Sequence, residues 1–171
     1  MKYLIQLSAL LLISSAISAQ NQQQTAQQLY NSGNEKFDNK KFAEAIIDYT
    51  KAIELDHNYA AAYYNRGTAK NNLKDTKGAI EDYTKAIEIY PKYAAAYNNR
   101  GIIKKSLNDY KGAIEDYSLA IENNPNYAMA YFNRGSVRIL IEQKDKGCKD
   151  LNKAMELGTD KAFESIAKYC K

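Results

Sequence analysis

Residues 60–91 read AAAYYNRGTAKNNLKDTKGAIEDYTKAIEIYP, and nearly the same line returns 34 positions later. Gly33, Gly67, Gly101 and Gly135 keep that step, as do Ala52, Ala86, Ala120 and Ala154. Asn65-Arg66-Gly67 comes back as Asn99-Arg100-Gly101 and Asn133-Arg134-Gly135. Tyr49, Tyr83 and Tyr117 follow suit, with Leu151 in the fourth copy, and Tyr63, Tyr97 and Tyr131 form another set led by Leu29. A fixed period of this length marks a repeat architecture, in which each copy is one unit that cannot bury its apolar face alone.

Inside one copy the apolar spacing is helical. Ala79, Ile80, Tyr83, Ala86 and Ile87 form one stripe, and Glu81, Asp82, Lys85 and Glu88 are assigned to the opposite, solvated face. Strand-like alternation is absent, so each period reads as two helices, about 60–73 and 77–89 in the second copy. A glycine inside a helix costs about 1 kcal/mol relative to alanine. Its recurrence therefore predicts a close approach, from the partner helix of the same hairpin through Ala79 and Ala86, with Tyr63 and Tyr83 filling the space between layers.

Together these residues resemble the tetratricopeptide-repeat (TPR) family, whose pattern is W-x2-L-G-x2-Y, then A-x3-F, then P. Here the pattern runs Tyr63-x2-Arg66-Gly67-x2-Lys70, then Ala79-x3-Tyr83, then Pro91. Tyr stands for Trp, Arg for Leu, Lys for Tyr and Tyr for Phe; Arg can still pack its aliphatic stem. The resemblance spans 26–159. It implies an all-α, right-handed superhelical solenoid of four hairpins (26–59, 60–93, 94–127 and 128–159), followed by a capping helix at 160–171 that covers the last apolar stripe.

The family binds peptides or folded proteins on a concave face lined by the first helix of each hairpin. On this chain the resemblance places there Tyr30 and Asn34; then Tyr64, Asn65 and Thr68; then Asn98, Asn99 and Ile102; then Met129, Phe132, Asn133 and Ser136. Ile139 and Leu140 extend the apolar end of that face, where an aromatic anchor such as Phe132 suits a binding hot spot. Asn65, Asn99 and Asn133 equally fit a structural role between repeats. Some family members clamp the terminal carboxylate of chaperones with two Asn and several basic residues. Asn34 and Asn65 match the two Asn, but Tyr30, Ala95 and Asn99 occupy the basic positions, so that ligand is not expected here.

The first residues are of another kind. Lys2 precedes an apolar stretch from Leu4 to Ile17, and Ser18-Ala19-Gln20 turns polar. This is the anatomy of a signal peptide cut after Ala19. The run is shorter than the roughly 20 apolar residues of a membrane span, which weighs against the rival reading of an uncleaved anchor. Residues 20–25 form a Gln-rich leader. The chain is thus expected to be exported, periplasmic or secreted, with no membrane span after cleavage.

In an oxidising compartment Cys148 and Cys170, the only cysteines, lie about equally far either side of the turn near Gly158-Thr159. Either they form a disulfide that staples the cap to the last repeat, or they are two buried thiols. Two cysteines and the distant His57 do not make a tetrahedral metal site.

The remaining composition excludes more than it proposes. Apolar residues make up 45% of the 171, which suits a folded domain rather than a disordered chain. The charge of +4, from 24 basic and 20 acidic residues, is spread out and forms no basic stripe for nucleic acid. No phosphate-cradling loop is present, His57 occupies a turn, and the repeated carboxylates stand beside lysines. No enzyme activity, cofactor or metal is expected. The reading is a protein-interaction scaffold for a protein or peptide partner; the alternatives are a self-associating structural protein of the cell envelope, a homo-oligomer, or a non-catalytic accessory subunit of an enzyme complex.

Overall fold

The structure is a computed structural model that describes residues 25–170. The expected signal peptide, and the leader up to residue 24, lie outside the described residues; Thr25 already stands in a helix. Nine helices and no strand occur among the described residues: α1 (25–38), α2 (Phe42–Leu55), α3 (Ala60–Asn72), α4 (Thr76–Ile89), α5 (Ala94–Ser106), α6 (Tyr110–Asn123), α7 (Ala128–Leu140), α8 (Lys144–Glu156) and α9 (Lys161–Tyr169). The fold is an all-α helical repeat. It divides into two compact units, Met1–Asp75 and Thr76–Lys171.

In the first unit α2 packs on α3, and Ala45, Tyr49 and Ala69 form a buried cluster joined by Tyr30 and Phe37 of α1. Gly33 on α1 lets α2 approach: a Cβ there would stand 2.6 Å from the Tyr49 ring. In the second unit α5 pairs with α6 and α7 with α8, while α4 packs on α5, α6 on α7, and α9 on α8 and α7. Gly101 repeats the arrangement, with a would-be Cβ 2.8 Å from the Tyr117 ring. The close approach predicted from the glycines is present, but the partner differs. The tyrosine of the second helix, not its alanines, lies against the glycine. In the last hairpin Leu151 replaces that tyrosine, and a Cβ on Gly135 would meet the Gly147 carbonyl at 2.9 Å.

Each first helix ends in the same way. Lys40, Lys74, Asn108 and Glu142 are left-handed, with φ between 60 and 67°. The amide after each bonds the carbonyl five residues back: Lys41 to Lys36, Asp75 to Lys70, Asp109 to Lys104, and Gln143 to Arg138. This is the Schellman helix end. Glycine is its usual residue, and none of these positions has one.

The solvated-face assignment of the repeated aspartates is corrected. Asp48, Asp82, Asp116 and Asp150 are all buried, the most exposed at 6%, while Glu88 and Glu122 are indeed exposed. Asp82 lies three residues after Ala79 and four before Ala86, which puts it on the edge of the apolar stripe. The Arg of the Asn-Arg-Gly motif supplies the reason. Arg100 grips Asp116 with Nη2 at 2.8 Å and Nε at 2.9 Å, and Lys104 adds a bridge at 2.9 Å. Its Nη1 donates to Thr84 Oγ1 at 3.0 Å, and its guanidinium stands over the Tyr97 ring. Arg134 repeats every contact one period on, with Asp150, Ser118 and Tyr131, and Arg138 replaces Lys104. One side chain thus ties its own helix to the next and to the preceding hairpin.

Copy one lacks the Arg. Ser32 stands in its place and donates to Asp48 at 2.6 Å, beside Lys36 at 2.6 Å. Burial pushes the Asp48 carboxyl up, but the hydrogen bonds from Lys36 and Ser32 outweigh it and hold the group below the usual carboxylate range.

Cys148 on α8 and Cys170 after α9 pair as a disulfide in the structure, with Cα atoms 5.6 Å apart. That distance falls within the normal range for a bridge.

Candidate functional site

The residues expected to face a partner fall on the first helix of each hairpin, two to four in each copy. In the first unit they are brought together. Asn65 donates through Nδ2 to Tyr30 Oη at 3.0 Å and to Asn34 Oδ1 at 2.8 Å. The Tyr49 hydroxyl donates to the same Asn34 oxygen at 2.8 Å. Burial raises the Tyr49 phenol above the ordinary tyrosine range. The Tyr30 ring leans on Tyr59 at 4.9 Å and on Tyr49 at 5.9 Å. Tyr30, Asn34 and Asn65 are therefore half-buried members of one network. Tyr64 and Thr68 are also half-buried, and Thr68 donates to the Tyr64 carbonyl one turn back at 3.0 Å.

In the second unit the same positions divide. Asn98 and Asn133 are 4% and 9% exposed, and Asn133 Nδ2 donates to Asn98 Oδ1 at 2.9 Å. Asn98 in turn donates to Asn99 at 3.2 Å. The Asn133–Asn98 bond fits the structural role between repeats raised from the sequence for Asn133. Both Asn65 and Asn133 reach the residue 35 positions earlier. Ile102 is exposed; Met129, Phe132 and Ser136 are half-buried, with Ser136 donating to the Phe132 carbonyl at 2.7 Å. Where Asn34 accepts the Tyr49 hydrogen bond in copy one, Ile102 stands in copy three. The buried Tyr117 hydroxyl correspondingly has no hydrogen-bond partner, and burial raises that phenol too.

The apolar end of this face opens into a groove of about 410 Å³. Ser136, Ile139 and Leu140 of α7 form its floor, Lys105 of α5 one side, and Ser165 and Tyr169 of α9 the other. Leu140 is 56% exposed, a large apolar side chain facing water. Sequence reasoning named Ile139 and Leu140 but not the contribution of α9, because nothing in the repeat period describes the residues beyond it. The groove offers an apolar seat, the hydroxyls of Ser136, Ser165 and Tyr169, and one ammonium. Among the described residues no group of His, Cys, Asp or Glu is placed to hold a metal ion, and no helix is long and apolar enough to cross a membrane.

The comparisons agree with this architecture. A tetratricopeptide repeat model matches residues 60–93 and 94–127, and a TPR repeat model matches 33–73. The TPR domain of Arabidopsis OM64 is 31% identical, with a TM-score of 0.67 over 68% of this chain and 97% of that one. A crystal structure of MamA aligns with a TM-score of 0.74 at 29% identity over 85% of this chain and 82% of that one. The first TPR of Spaghetti (RPAP3), solved bound to the HSP90 peptide SRMEEVD, aligns at 0.67 with 29% identity over 70% of this chain and 94% of that one. No curated protein sequence matches the chain. The chain belongs to the tetratricopeptide-repeat family, a class of helical-repeat proteins with members that bind peptides.

Proposed function

We propose that this protein is a non-catalytic interaction module that holds a segment of a partner protein on the inner face of its first helices, outside the cytoplasm. The observation that carries the reading is the groove at the end of α7. A TPR face needs an apolar seat to anchor an extended segment, and Ile139 and Leu140 supply one with Phe132 about two turns away. Within the second unit the half-buried Asn99 offers a further polar contact on α5. The likeness to the HSP90-peptide complex supports peptide binding in general. It does not extend to that ligand, because Tyr30, Ala95 and Asn99 stand where the terminal carboxylate would need cations.

Export is supported by the signal-like residues 1–19 and by the juxtaposition of the two cysteines, since bridges persist in oxidising compartments. A mature chain beginning at Gln20 by mass spectrometry is the expected result; one beginning at Met1 would remove this part of the proposal. The binding role is tested by affinity capture from the native compartment. The protein is compared with a Phe132→Ala/Leu140→Ala double variant whose helical circular-dichroism signal is unchanged. A partner held by the first and lost by the second is expected. The same partner held equally by both would move the site elsewhere.

A further inference from the structure

We infer that the Cys148–Cys170 bridge is a thiol-sensitive latch that holds α9 in place as one wall of the groove. This inference rests on the groove being the binding site, and deepens that reading by naming its control.

The first observation is how little else holds α9. The helix has nine residues, below the 12–15 or so at which an isolated helix becomes stable in water. Ala162, at its start, is its one buried residue. Phe163 is 66% exposed and Tyr169 40%, so the two largest side chains of the helix contribute little burial. The bridge sits at the other end. Residue 170 is the helix's C-cap, and its Cys is joined to Cys148, one turn into α8 and 22 positions away. Ala162 and the bridge therefore pin opposite ends, and only the bridge is covalent.

The second observation is what α9 supplies. Ser165 and Tyr169 line the 410 Å³ groove together with Lys105, Ile139 and Leu140. Tyr169 immediately precedes the bridged cysteine, and it also borders the adjoining cavity of about 390 Å³ with Ile139 and Lys168. Freeing the C-terminal end of α9 removes this wall first.

The chemistry is ordinary thiol–disulfide exchange. A dithiol donor attacks one sulfur and the protein S–S bond breaks. The mixed disulfide is then resolved by the donor's second thiol. Cys148 and Cys170 each end as a thiol, taking two protons and two electrons in all, and the donor leaves as its own disulfide. Cys148 and Cys170 are both partly exposed, so a donor can reach them.

The test is hydrogen–deuterium exchange on the full mature chain, oxidised and after treatment with dithiothreitol, with no partner present. Amides of 161–169 are expected to exchange faster on reduction by on the order of a hundredfold, the factor that follows from reopening a closed loop of this size. Amides of α5 and α6 should keep their protection. A Cys148→Ser/Cys170→Ser variant should match the reduced protein with and without the dithiol. If that variant fails to fold, the reduced wild type carries the comparison, with reoxidation restoring protection. Equal protection of α9 in both redox states, or two free thiols in protein purified under oxidising conditions, would overturn the latch. Because the readout needs no ligand, its failure is separate from failure of the binding role.

Discussion

Arg100 and Asp116, sixteen residues apart, meet through two parallel hydrogen bonds of 2.8 and 2.9 Å, with the carboxylate 2% exposed. The same pair returns as Arg134 and Asp150. The family pattern has leucine at this position, so the chain has exchanged an apolar contact for a desolvated ion pair. Such pairs resist removal of one partner far more than removal of both.

Arg100→Leu should therefore destabilise the protein by about 3 kcal/mol, because Asp116 stays buried with only Lys104 left. Adding Asp116→Leu should restore a large part of that loss. Urea unfolding of the two variants and of Asp116→Leu alone closes the cycle. Additive effects across it would show that the pair is not coupled.

Tyr49 and Tyr117 fill equivalent places with different hydroxyl environments. Tyr49→Phe removes a hydrogen bond and leaves Asn34 with one donor fewer, which should cost about 1 kcal/mol. Tyr117→Phe removes a buried hydroxyl that has no partner, and should be neutral or stabilising. Thermal melts of both variants, at matched pH, read the difference directly.

The pH limits of stability follow from the same groups. Asp48 is depressed in the folded state, so its contribution is present above the ordinary carboxyl value of 3.8 and is lost as pH falls below it. Tyr49 and Tyr117 are raised, so their contribution is present below the ordinary tyrosine value of 10.0 and is lost as pH rises beyond it. Denaturant midpoints should decline at pH below the lower of these values and above the upper one. Asp48→Asn should blunt the acid limb, while Tyr49→Phe should blunt the alkaline one.

The left-handed turn residues carry avoidable strain. A residue with a Cβ costs about 1–2 kcal/mol in that conformation. Glu142 has φ 62° and a side chain exposed to water. Glu142→Gly should therefore stabilise the fold by up to about 1 kcal/mol once the flexibility of glycine in the unfolded state is counted, read as a higher melting temperature. A lower melting temperature would show that the Glu142 side chain makes a compensating contact.

Much of this was legible because a repeat states its own alignment. The two-helix period, the glycine approach and the buried tyrosines all follow from positions that recur every 34 residues. The Arg–Asp pairing was present in the same register, since Arg66, Arg100 and Arg134 each precede an aspartate by sixteen. It was missed because Asp82 and its equivalents were sorted by residue type, though their spacing from Ala79 and Ala86 put them on the stripe. The four Schellman turns left no glycine to mark them. The cap itself was legible, but the contribution of Ser165 and Tyr169 to the groove was not: α9 follows the last repeat, so no other copy shows what its residues touch. Asn98 and Asn133 looked like ligand contacts, since residue type alone does not say whether an amide meets a ligand or its neighbouring repeat.

The central claim is that the protein binds a partner through the groove at the end of α7. A photo-crosslinking residue at Leu140, compared with one at Glu115 on the exposed face of α6, tests it most directly in the native compartment. The account predicts a discrete crosslinked partner from position 140 and none from 115. Crosslinks to the same partner from 115 alone, or to a second copy of this chain alone from both positions, would contradict it.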